Sequence, residues 1–211
     1  MTGLATLLTL ADSRLPTGGH VHSGGVEEAV VSGLLVDLAT LEAFLRRRIA
    51  THGVVTASAA VALQSGQLSA AGAEAEVDAR TPSPAARAAS RSQGRGLLRL
   101  GRRVWPDGGW AALGHAPHLA TVAGIAGRAA DLAPDHTALA LVYTTMTGSA
   151  TAAQRLLALD PADVADVTFT LSPLCDQTAA EAVAGLADAS DPLLDVLAQR
   201  HARRDRPLFA S

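Results

Sequence analysis

Lysine and asparagine are absent from this 211-residue chain, and all 17 basic residues are arginine. The missing lysine excludes chemistry. A Walker A loop needs a lysine on the β- and γ-phosphates, so the chain is not a conventional P-loop nucleotidase. Schiff-base catalysis and a pyridoxal phosphate anchor need the same amine. Cysteine is reduced to Cys175, which rules out an internal disulfide and a cysteine zinc site and fits a reducing compartment. Aromatics make up 3% and β-branched residues are sparse, so little points to strands. No apolar run is long enough to span a bilayer. The first ten residues carry no basic segment and soon meet Asp12 and Arg14, so they are not read as a signal peptide. The net charge of −3 argues against wholesale nucleic-acid binding, which needs a strongly basic surface. The expectation is a cytoplasmic protein with neither membrane nor nucleic acid as partner.

What is present is helical. Alanine fills about a fifth of the chain, in keeping with a GC-rich coding bias. Asp37 is a candidate N-cap, followed at helical spacing by Leu38, Leu41, Leu45, Ile49 and His52, in a segment reaching about Gln64 before Gly66. Ser83-Pro84, Asp160-Pro161 and Asp191-Pro192 share a second signature, a capping residue followed by proline at the first helical position. Further helices are expected over 84–104, 117–132, 135–159, 176–187 and 192–204, with a junction at Leu171-Ser-Pro173. Thr81-Pro-Ser-Pro and Pro106-Asp-Gly-Gly read as turns. The fold expected over 1–211 is one all-α bundle of about eight to ten helices. Its small side chains bury little area per residue, which favours support from a partner or a homodimer.

Residues 12–27 break the pattern, with four glycines and a proline between two helical segments. Ser23 is a candidate N-cap for a helix over 24–32, whose first turn holds Glu27 and Glu28. Four chemistries compete for this loop. Backbone amides at a helix start can cradle phosphate, although acidic first-turn residues oppose it. His20 and His22 can ligate a metal, although alternate residues of an extended segment face opposite ways and two ligands do not fill a tetrahedral site. Ser23 can be a nucleophile, although the G-x-S-x-G spacing and a preceding strand are missing. The remaining reading is a structural or recognition loop.

At this loop the sequence resembles the urease accessory protein F (UreF) family. Leu15, Pro16, Gly18, Gly19, Ser23, Gly25 and Glu27 match its Leu-Pro-x-Gly-Gly … Ser-x-Gly-Leu-Glu pattern. Gly94-Arg-Gly-Leu-Leu-Arg-Leu100, Ala152-Ala-Gln-Arg-Leu156, Pro192 to His201 and the tail Pro207-Leu-Phe-Ala-Ser211 resemble further family segments in order. His20 and His22 stand where the family has aromatics, Gly24 where it has Gln, and Pro207 where it has Arg. The resemblance implies a dimeric, non-enzymatic, all-α protein. Such a protein bridges a nickel-carrying GTPase (accessory protein G) and a scaffold (accessory protein D, also called H), so that nickel enters apo-urease. No cofactor is then bound directly, and nickel and GTP are handled by the partner. On this reading Leu15, Pro16, Gly18, Gly19, His20, Ser23, Gly25 and Glu27 face the GTPase. His201, Arg206, Leu208 and Phe209 face the scaffold. The alternative is a metallochaperone binding nickel through His20 and His22.

Arg87, Arg91, Arg95 and Arg99 recur at i, i+4, and no acidic residue lies between Arg80 and Asp107. Like charges at that spacing repel, so something acidic should answer them. The options are the Asp-rich helices after Asp160, solvent, or an acidic docking partner. Leu208 and Phe209 are apolar at a polar terminus, where fraying is the rule, and are expected to order against a partner.

Overall fold

The computed structural model describes residues 3–17 and 19–210, without the side chain of His20. Gly18 and the His20 side chain, both named as candidate partner-facing groups, lie outside the described residues. Every regular element among those described is helical. In chain order they are α1 (Leu4–Leu10), α2 (Val26–Val31), α3 (Leu38–Arg48), α4 (Val54–Gln64), α5 (Ala70–Arg80), α6 (Pro84–Val104), α7 (Leu119–Ala129), α8 (Pro134–Leu157), α9 (Pro161–Ala184) and α10 (Pro192–His201). A π turn at Ile49–Gly53 joins α3 to α4 without a break, so the described residues form nine helical rods. The all-α expectation and its helix number hold.

The capping chemistry explains where the helices start. Asp37 accepts from Thr40 N–H at 2.8 Å, and the Thr40 hydroxyl answers Asp37 N–H at 3.0 Å, a reciprocal box. Ser83, Asp160 and Asp191 accept from Ala86, Ala162 and Leu193 at 3.2, 2.7 and 3.0 Å, each just before its proline. The start of α2 is shifted. Gly25, at φ +92°, occupies the cap position, while Ser23 Oγ receives Glu27 N–H at 3.3 Å from one turn back. Two expected helices are one. The segment over 176–187 is the second half of α9, which runs straight through Leu171-Ser-Pro173. Pro173 is exposed, and so is Phe169, whose carbonyl it leaves without an amide. Leu171, Cys175, Thr178 and Ala182 then keep both halves of α9 buried against α8 and α4.

At the centre stands α4. Every residue from Val54 to Leu63 is buried, and α7, α8, α9 and α5 surround it. Its alanines let neighbours come close: a Cβ on Gly124 of α7 would run into the Ala60 carbonyl. Outside this centre, α6 lies on α7 and α10, and α10 lies on α2. That last packing carries the C-terminus back to the N-terminal loop. Among the described residues no helix is long and apolar enough to cross a membrane.

Candidate functional site

The two ends of the chain, expected to serve two different surfaces, meet in one place. Glu27, in the first turn of α2, is 2% exposed. Its carboxylate accepts from Leu208 N–H at 2.8 Å and Phe209 N–H at 3.0 Å, and pairs with the buried His201 ring at 2.9 Å. Burial alone would push this carboxyl up. The Leu208 amide, the His201 ring and the Phe209 amide outweigh it and hold the group below the ordinary glutamate range. Arg204 adds a bond to Glu28 at 3.2 Å, and Ala210 N–H reaches the Val21 carbonyl at 2.6 Å. Phe209 packs on the core, with the Arg155 guanidinium 5.7 Å from its ring centre. The tail is thus ordered by its own chain, and of its two apolar residues only Leu208 stays exposed.

Several expected loop residues sit beneath the surface rather than on it. Ser23 is fully buried, which removes it as an accessible nucleophile, and Gly25 and Glu27 are buried with it. His22 is 8% exposed. Residues 19–21 form a 3₁₀ turn, not the extended segment from which opposed histidines were inferred. Among the described residues no group of three or more His, Cys, Asp or Glu is placed to hold a metal ion. Pro16 is exposed, Leu15 and Gly19 are half-buried, and Arg206 is exposed. The chemistry of first-turn acids foretold a dipole interaction. Nothing in one sequence foretells that Glu27 holds residues some 180 positions away.

The basic row on α6 divides in two. Arg91 reaches Glu74 at 2.7 Å, Asp78 at 2.9 Å and the Ala116 carbonyl at 2.6 Å. Arg87 donates to the Thr81 carbonyl at 2.8 Å and lies 3.6 Å from Asp78. Asp78 also meets the fully buried His118 at 2.9 Å. Burial would raise the Asp78 carboxyl, but His118 and Arg91 hold it low. The contacting carboxylates therefore come from α5, the preceding helix, while Asp195 of α10, from the segments after Asp160, adds only a charge interaction with Arg87. Arg95, Arg99, Arg102 and Arg103 are exposed and form no ion pair among the described residues.

A third arrangement was not foreseen. Arg47 grips Asp191 through Nε and Nη2, both at 2.6 Å, which ties α3 to the cap of α10. Arg48 turns inward, and its Nη1 donates to the Gly24 carbonyl at 2.8 Å. His52, on the π turn, is held to about 3, first by burial and then by the charge of Arg48. These residues stand between two cavities, of about 230 Å³ and about 100 Å³. The signal available in the sequence was Arg46-Arg47-Arg48, since successive helical residues turn by about 100° and one of three must face the body. Cys175 is buried and its thiol pushed up to about 11, by burial and then by Asp176, which makes it inert.

The family model for UreF matches residues 35–172, which leaves the N-terminal loop and the C-terminal tail outside the match. Relatives cover those ends as well. A urease accessory protein UreF from Mycolicibacterium vanbaalenii is 75% identical, one from Mycobacterium marinum 71% and one from Mycobacterium tuberculosis 69%. In each case the alignment spans 100% of both chains.

Proposed function

Since the chain belongs to the UreF family of urease accessory proteins, we propose that it works in urease maturation as a non-catalytic cytoplasmic adaptor. In this reading it bridges a nickel-carrying GTPase and a scaffold accessory protein, acts as a homodimer, and promotes nickel insertion into apo-urease. Nickel and GTP stay with the partner, in keeping with a chain that has no lysine for a P-loop.

The observation that supports this best is the division of the α6 arginines. A cation row that continues beyond the carboxylates of its own fold is suited to acidic groups elsewhere, and arginine forks grip carboxylates in pairs. The exposed Pro16, with the half-buried Leu15 and Gly19 beside it, is the part of the described loop assigned to the GTPase. Leu208, exposed beside Arg206 at the joined termini, is assigned to the scaffold. Because the termini meet, the two partners would sit side by side and not at opposite ends.

Co-purification with both accessory proteins, followed by native mass measurement, tests the reading. A complex holding both partners and two copies of this chain is expected. An Arg95→Ser/Arg99→Ser variant should lose one partner while remaining folded. Capture of neither partner would end the adaptor reading. Equilibrium dialysis tests the alternative. Nickel retained by the chain alone, and lost on His20→Ala/His22→Ala, would replace adaptor function by direct nickel carriage.

A further inference from the structure

Arg47 and Arg48 are neighbours with opposite situations. The Nε and Nη2 edge of Arg47 is filled by the Asp191 carboxylate. Among the described residues the same edge of Arg48 has no acceptor: Nε is walled in without a partner, and Nη2 makes no bond and is not walled in. No carboxylate touches Arg48 among the described residues; Asp191, already gripped by Arg47, acts on its charge only from a distance. An unpaired guanidinium in the body of a protein is costly, and an anion normally answers it.

The surroundings supply room and further polar groups. Arg48, His52 and Gln93 line both cavities, so they form the wall between them. His52 and Gln93 make no hydrogen bond to protein among the described residues, so their polar atoms are left to the cavities. The carboxylates nearby are engaged. Asp191 is held by Arg47, Thr51 and the α10 amides. Asp195 accepts from Ser83 N–H at 3.1 Å, and Asp12 is closed on Arg14 at 2.6 Å. On the other side, Arg155 joins Arg48 in lining the larger cavity, and Arg80 of the smaller one is bound by Glu76 and Asp188. Counted with their partners these charges come close to balance, and the open donor at the wall is Nη2 of Arg48.

Gly24 shapes the seat. It stands at φ +65°, and a Cβ there would fall 2.5 Å from Cζ and Nη2 of Arg48. The guanidinium thus lies flat against glycine backbone, which fixes its plane while Nη1 is held by the carbonyl.

We propose that the wall between the two cavities is a binding site for a small, singly charged oxyanion, a carboxylate or bicarbonate, held by Nη2 of Arg48 and the amide of Gln93. One open cation and a neutral imidazole suit one negative charge. His52 offers an N–H or a lone pair according to tautomer, and the cavity of about 230 Å³ admits the anion with water around it.

The full chain alone, without partners, is the system for the test, so the outcome is separate from that of the adaptor reading. Sodium [¹³C]bicarbonate and [¹³C]acetate are titrated in parallel, with sodium chloride at matched ionic strength as control. One or both oxyanions should raise Tm and shift or broaden the ¹³C line, and chloride should do neither. Which of the two responds identifies the source. Arg48→Met keeps the stem and removes the charge, and should weaken Kd at least tenfold. Gln93→Leu should weaken it several-fold, and decides the matter if Arg48→Met does not fold. A chloride response equal to that of the oxyanions, or an unchanged Kd in the deciding variant, would overturn the site and leave cavities that hold only water.

Discussion

The centre of the bundle and the junction of its two ends are both buried, but they are held by different physics. Around α4 the contacts are small and apolar: Ala60 and Leu63 meet α7 at a distance that only Gly124 permits. At the junction the contacts are charged or polar: His201 and two backbone amides converge on Glu27 within hydrogen-bond reach, and Arg204 binds the neighbouring Glu28 at 3.2 Å. The centre is specified by shape, and overpacking is what breaks it. The junction is specified by partners, and removing one of them leaves the rest unsatisfied in a buried place.

Gly124→Val should have the largest effect. Its side chain meets the Ala60 carbonyl, a backbone atom that cannot swing away, so α4 and α7 must separate along their length. A loss of about 3 kcal/mol or more is expected, read by urea unfolding. Glu27→Ala should come next, at about 2 kcal/mol, because it strands two amides and a ring nitrogen. It should also release the tail, so that limited proteolysis cuts near Arg203 to Arg206 while the bundle stays intact. If Gly124→Val instead frees the tail, or Glu27→Ala loosens α4, the two regions are coupled and the contrast fails.

Acid sharpens the same contrast. Glu27 has its folded pKa below the ordinary value of 4.5, because the tail amides and His201 outweigh burial. A carboxyl depressed by folding stabilises above its unfolded pKa and loses that contribution as pH falls through the folded one. Tail protection, followed by amide hydrogen exchange of Leu208 and Phe209, should therefore fade as pH falls below the ordinary glutamate value of 4.5, while α4 amides remain protected. Equal fading in both regions would show that acid acts on the whole bundle.

The centre was the more legible of the two. Alanine-rich helices, the proline starts at 84, 161 and 192 and the aspartate cap at 37 are local signals, and local signals fixed where those helices begin. Pro173 misled, because its penalty depends on which side of the helix it occupies, and exposure is a tertiary fact. The junction was legible only as two motifs worth noticing. Their meeting depends on α10 packing against α2, and no spacing rule reaches from Glu27 to Leu208. The cavity wall was unread for the same reason, since Arg48 differs from Arg46 and Arg47 only in the direction it faces.

The smallest effect on stability is expected where the sequence showed an unbroken pattern and the structure divides it. Arg91 is partly buried and answers Glu74, Asp78 and the Ala116 carbonyl, so Arg91→Ala should cost about 1–2 kcal/mol by leaving those acceptors short of a donor. Arg95 and Arg99 touch no carboxylate among the described residues, and like charges along a helix repel slightly. Arg95→Ser/Arg99→Ser should therefore change unfolding free energy by less than about 0.5 kcal/mol in either direction. If these arginines serve an acidic partner, the same double change should weaken the complex, and raising salt should weaken the unaltered complex in the same sense, because exposed charge pairs are screened. A stability loss as large as that of Arg91→Ala would mean that the exposed half of α6 serves the fold after all, and the division that points to a partner would disappear.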